Sequence, residues 1–129
     1  MTFEELKNFF KNDRFAAEIG CDITESSQGS SVVTIAVNEK HLNGNGVVQG
    51  GVIFTLADFS CAVAANSEEI AFVSADGNIS YMNAATGKKL ISRAEVIRKG
   101  RTLAFCEAVI EDENKKIIAK ASFTMCRIR

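Results

Sequence analysis

Residues 47–66, VVQGGVIFTLADFSCAVAAN, decide how the chain is read. After Gly50 and Gly51, the residues Ile53, Leu56, Ala57, Ser60 and Ala64 recur at helical spacing. The other faces of this segment, about Val52 to Asn66, are apolar or small as well. A helix that is apolar all round is normally a buried one. What encloses it follows in the chain. Strand-like segments run over about 72–82, 89–97, 102–110 and 117–128, separated by NAATGK, RKGR and EDENKK, which is turn and loop chemistry. Upstream, Val33, Ile35 and Val37 alternate with Thr34 and Asn38, which predicts a strand at about 30–38. Thr2 and Glu5 have the spacing of a capping box, and Phe3, Leu6, Phe9 and Phe10 share a face, so a short helix is expected over about 3–12. Long strands, short connections and one enclosed helix define an α+β fold, an antiparallel sheet curled around that helix.

Composition narrows the class. A chain of 129 residues is expected to form a single domain over 1–129, and it can bury roughly 68% of its unfolded surface without staples. It is 47% hydrophobic and 24% charged with a net charge of -1, which gives no footing for nucleic-acid binding. No stretch reaches the roughly 20 apolar residues of a membrane span, and MTFEELKNFF is not a secretory leader. The four cysteines contain no CxxC pair and lie mostly in apolar patterns, as expected of reduced thiols in a cytoplasmic protein. One histidine without clustered cysteines leaves no basis for zinc. There is no P-loop, no strand–GxGxxG–helix unit and no GxSxG elbow.

Asp58 sits inside the apolar helix. An ionised carboxylate in a dry interior costs several kcal/mol unless it is paired, as a rule of thumb. Either it faces solvent or caps a loop, or it is a general base or nucleophile whose pKa is raised by a cleft. Gly50 and Gly51 are either a simple turn or a site where a substrate meets the free amides of a helix N-terminus. Such donors stabilise an oxyanion. Gly50 and Asp58 are eight residues apart, about 12 Å along a helix. That is too far for one small reacting centre, so a shared site needs Gly50 from one chain and Asp58 from another, or a substrate lying along the groove. A lone histidine such as His41, in an Asn- and Gly-rich loop, is expected in solvent. Asn43 in that loop is a turn residue or an amide that orients water or a carbonyl. Arg98, Lys99 and Arg101 form a basic hairpin tip, a solvated turn or a phosphate contact.

The stretches HLNGNGVVQGGVIFTLADFSCAVAAN and FVSADGNISYMNAATGKKLISRAEVIRKGRTLAFCEAVI resemble the PaaI-type (phenylacetic-acid-degradation) branch of hotdog-fold acyl-CoA thioesterases, part of the 4-hydroxybenzoyl-CoA thioesterase-like superfamily. The likeness runs from about His41 to the C-terminus. The family pattern is an HxNxxG loop, an HGG, an apolar helix with LxD and a strand opening with serine. The resemblance implies that Asp58 is the carboxylate that activates water or attacks the thioester. It implies Gly50 as the amide that polarises the carbonyl, with Asn43 and Ser74 assisting. Gln49 stands where the family usually has His, as a hydrogen-bonding neighbour. Gly51, Arg98, Lys99 and Arg101 are assigned to CoA. The resemblance further implies an acyl-CoA substrate, no metal or redox cofactor, and a homodimer as the minimal unit with the site between subunits, commonly paired to a homotetramer. A non-catalytic acyl-CoA-binding domain and a hotdog dehydratase or hydratase stay open as alternatives.

Overall fold

The structure is a computed structural model that describes residues 1–129. Its elements follow in chain order: α1 (Phe3–Phe10), α2 (Arg14–Glu18), β1 (Asp22–Ser27), β2 (Ser30–Ala36), a 3-10 turn (Glu39–His41), α3 (Gly50–Ala65), β3 (Phe72–Tyr81), β4 (Lys89–Lys99), β5 (Leu103–Asp112) and β6 (Ile117–Arg127). The capping box of Thr2 and Glu5 is formed and starts α1. Helix α1 ends at Phe10, two residues short of the predicted end, and Asp13 caps the separate α2. No helix is long and apolar enough to cross a membrane.

The six strands form one antiparallel sheet in the order β1-β2-β4-β5-β6-β3. It curls around α3, whose Leu56, Ala57, Ser60, Cys61 and Val63 are fully enclosed. Burying a side chain such as Leu56 contributes about 1.5–3 kcal/mol. The few polar atoms inside are paired: Ser60 and Ser92 share a 2.7 Å hydrogen bond, and Ser31 donates to Ser60 O at 2.7 Å. Asn66 ends α3 and begins β3. Its Oδ1 accepts from Ala71 N and Phe72 N at 2.7 and 2.8 Å, and its Nδ2 donates to Ala62 O and Phe72 O. This fixes the angle at which strand β3 leaves the helix.

Strand β3 is the edge that matters for the site. It is ten residues long, pairs only with β6, and is exposed along most of its length. One bulge interrupts the pairing: Ser74 faces Met125 and Asp76 faces Thr124, so Ala75 is the extra residue. Beyond it Gly77, Ile79 and Tyr81 face Phe123, Ala121 and Ala119. These three partners and Met125 are buried, and residues opposite one another in a ladder share a face. Ser74 and Tyr81, an odd number of residues apart, therefore both look inward toward α3. Gly77 is tightly placed on that face, because a Cβ there would lie 2.4 Å from the Phe123 ring.

His41 corrects the expectation of a solvated loop residue: it is 1% exposed. Its Nδ1 accepts from Asn38 N at 3.0 Å and its Nε2 donates to Ile19 O at 2.7 Å. Its carbonyl accepts from Gln49 N at 2.8 Å. The ring thus ties the end of α2 to the loop that leads into α3. His41→Ala leaves a buried donor and a buried acceptor unpaired, so stability in urea is expected to fall by at least about 2 kcal/mol. A loss below about 0.5 kcal/mol, the level of an ordinary surface change, contradicts this role.

Candidate functional site

Asp58 lies half-buried on the side of α3 that faces the start of β3. Ser74 Oγ donates to its Oδ1 at 2.5 Å, while Oδ2 takes no hydrogen bond within the chain. Burial pushes the carboxyl pKa up, the Ser74 hydrogen bond offsets part of that rise, and the charge of Asp13 adds to it. A raised pKa makes the carboxylate a stronger proton acceptor, and a hydroxyl on one oxygen orients the other. Asp58 and Ser74 open onto a cleft of about 400 Å³. Its walls include Phe9 and Phe10 from α1, Phe72 and Val73 from β3, and Ile128 and Arg129 from the C-terminus. A polar hollow of about 470 Å³ lined by Glu25, Ser27, Arg93 and Glu107 shares no residue with this cleft.

At the start of α3 the chain builds a second polar focus. Gln49 is the N-cap: its Oε1 accepts from Val52 N at 3.1 Å. A Cβ at Gly51 would lie 2.6 Å from the same oxygen, so a side chain there would displace the Gln49 carboxamide. The cap and loop bonds take up Val52 N and Ile53 N and leave the Gly50 and Gly51 N–H groups without an acceptor in the chain. The Tyr81 hydroxyl donates to Gly50 O at 2.9 Å. Asn43 closes its own loop: its Oδ1 accepts from Asn45 N and Val47 N at 2.8 and 3.3 Å. Its carboxamide oxygen is therefore committed to the turn, and only its NH₂ is free for other work.

Arg98, Lys99 and Arg101 are exposed around the tip of the β4–β5 hairpin. Lys99 Nζ lies 5.3 Å and the Arg127 guanidinium 4.7 Å from the centre of the Phe72 ring. Phe72 also lines the Asp58 cleft, so the basic tip borders that end of the protein. Within one chain, then, the structure brings Asp58 and Ser74 together and groups Asn43, Gln49, Gly50 and Gly51 apart from them, as the helix spacing demanded. Phe9, Phe10, Asp13 and Tyr81 went unassigned in the sequence reading. The phenylalanine face of α1 was visible there, but nothing marked what it packs beside. The phase of Tyr81 depends on the Ala75 bulge, which the sequence does not announce.

Comparison with known proteins gives the family and the fold. The family profile of the thioesterase superfamily matches residues 45–119. The chain is 32% identical over 111 residues to the acyl-coenzyme A thioesterase PaaI of Escherichia coli, covering 85% of this chain and 79% of that one. It is 29% identical over 126 residues to human acyl-coenzyme A thioesterase 13, covering 94% and 90%. Among solved structures, the E. coli PaaI protein from the phenylacetic acid degradation operon superposes with a TM-score of 0.93 at 28% identity, covering 98% and 93%. A thioesterase protein with coenzyme A from Streptococcus pneumoniae TIGR4 superposes with a TM-score of 0.85 at 29% identity, covering 94% and 95%. The chain belongs to the thioesterase superfamily. Its sheet wrapped around α3 is the hotdog fold.

The raised pKa of Asp58 has a consequence for stability. The folded protein holds the Asp58 proton more tightly than the unfolded chain does. Native stability is therefore eroded as pH rises from the ordinary value of 3.8 through the raised one. Asp58→Asn keeps an acceptor for Ser74 and removes that penalty. It is expected to melt at a higher temperature than wild type at pH 7, with the advantage shrinking toward pH 4 and below. Equal melting temperatures at pH 7 contradict the assignment.

Proposed function

We propose that the protein hydrolyses an acyl-CoA thioester to the free acid and CoA. The site joins Asp58 and Ser74 of one protomer to Gly50, Gly51 and the Asn43 loop of its partner. One observation carries this reading. The free amides stand at the start of α3 and the carboxylate two turns further on, each beside one end of β3, whose outer edge has no partner strand. Two copies of β3 paired antiparallel bring the Ser74 end of one against the Tyr81 end of the other. A long edge with free N–H and C=O groups invites such pairing, and the exposed Val73, Tyr81 and Met82 supply apolar area to it. The dimer is then the minimal unit, and a second pairing gives the homotetramer.

In this scheme the thioester carbonyl accepts from the helix-terminal amides, with the Gly50 N–H first. Asp58 takes a proton from water as the water oxygen adds to the carbonyl carbon. The carbon–sulfur bond then breaks, and the CoA thiolate leaves and regains a proton. Direct attack by Asp58 on the same carbon is the covalent variant of this step. A base of this kind contributes about 10²–10⁴ in rate and one oxyanion donor about 10²–10³. The acyl group runs into the apolar cleft walled by Phe9, Phe10 and Phe72. The basic hairpin tip, with Arg127 and Arg129 beside it, meets the CoA phosphates. Gln49 supplies the helix cap and needs no part in proton transfer.

Thiol release from a panel of acyl-CoAs tests the scheme. Asp58→Asn is expected to lower kcat by about 10²-fold or more while leaving CoA affinity within a few-fold. An unchanged kcat ends the role of Asp58. Binding of acyl-CoA with no thiol release by wild type makes the domain a non-catalytic binding module.

A further inference from the structure

We propose, on the reading just given, that Tyr81 is a positioning residue for the thioester carbonyl, acting through the peptide that joins Gly50 to Gly51. The Tyr81 hydroxyl donates to Gly50 O at 2.9 Å. That oxygen and the Gly51 N–H belong to one planar trans peptide and point in opposite directions. Holding the oxygen against the sheet therefore sets the direction of the N–H, which has no acceptor in the chain. A hydrogen bond received at the carbonyl also polarises the peptide and strengthens its N–H as a donor, by about 10–30%.

Three further contacts separate this role from ordinary packing. The next carbonyl, Gly51 O, is held by the Thr55 hydroxyl at 2.8 Å, so the first turn is anchored at two successive oxygens. The helix cap itself is supplied by Gln49 and does not require Tyr81. The Tyr81 ring closes the space over Gly50: a Cβ there would lie 3.3 Å from the ring and its oxygen. The Ala75 bulge completes the arrangement, because it places Tyr81 on the same inward face as Ser74. When two β3 edges pair antiparallel, Tyr81 of one protomer stands beside the Ser74–Asp58 pair of its partner. Its hydroxyl hydrogen is committed to Gly50 O, so Tyr81 steers the donors and does not itself exchange protons with the substrate.

The test uses Tyr81→Phe in the full-length protein with two inert substrate analogues. One is a methylene ketone, in which CH₂ replaces the thioester sulfur and the carbonyl is kept. The other is an S-alkyl CoA thioether, which has no carbonyl. Loss of one hydrogen bond of ordinary strength predicts a fall in kcat/KM of roughly five- to tenfold. Affinity for the ketone falls by a similar factor, and affinity for the thioether and the oligomeric state stay as in wild type. An unchanged kcat/KM, or equal weakening of both analogues, overturns the role of Tyr81. Asp58→Asn measured in parallel keeps the two claims apart. If Asp58→Asn retains wild-type turnover, the catalytic reading itself fails. If Asp58→Asn is inert while Tyr81→Phe matches wild type, only the role of Tyr81 fails.

Discussion

The structure depends on one constraint: a helix that is apolar on every side has to be enclosed, and the only carboxylate on it has to be accommodated. Helix α3 meets the first demand by lying in the curl of a six-stranded sheet. It meets the second by presenting Asp58 toward the first residues of β3, where Ser74 supplies one hydrogen bond and a cleft supplies partial access. An uncompensated charge at that position would cost several kcal/mol as a rule of thumb. The protein instead accepts a carboxyl with a raised pKa, which is the property a base needs. The Ser74 hydrogen bond offsets part of the cost of burial without cancelling the rise.

The rest of the site follows from where the helix begins and ends. At its start Gln49 caps one amide and leaves two others free beside glycines that admit close approach. At its end Asn66 binds both the last turn and the beginning of β3, so the strand runs back along the helix with Ser74 near one end and Tyr81 near the other. The bulge at Ala75 lets both side chains face α3. The two chemical foci in one chain are thus separated by the length of a strand edge that has no partner. The division of labour proposed between two protomers would rest on α3 and β3 together, through helix rise and strand phase.

Much of the fold was legible because its long elements carry strong patterns. The uniform apolarity of residues 52–66 announced the enclosed helix, and β4, β5 and β6 alternate buried with exposed residues over much of their length. Strand β1 escaped notice because Ile23 is its only buried residue, and α2 because five residues capped by Asp13 are too short to show a period. His41 was misread for a different reason. Its partners, Asn38 N and Ile19 O, are backbone groups that no residue name reveals. Asp58 stood out as an acid in an apolar run, and the helix rise alone separated it from Gly50. Its pairing with Ser74 could be expected only through family resemblance, since the two are sixteen positions apart. Tyr81 was silent, because an odd spacing from Ser74 points to the opposite face until the bulge is known.

The most direct measurement is complementation between two defective protomers. Asp58→Asn removes the acid, and Gly50→Val crowds the amide end of α3, where even a single Cβ would meet Tyr81. Each variant alone should release almost no thiol from acyl-CoA. In a two-fold dimer with shared sites, a mixed pair holds one intact site and one doubly defective one, so co-refolding the two in equal amounts should restore roughly a quarter of wild-type activity. Formation of the mixed dimer with no activity above that of the separate variants would contradict a site built from two chains.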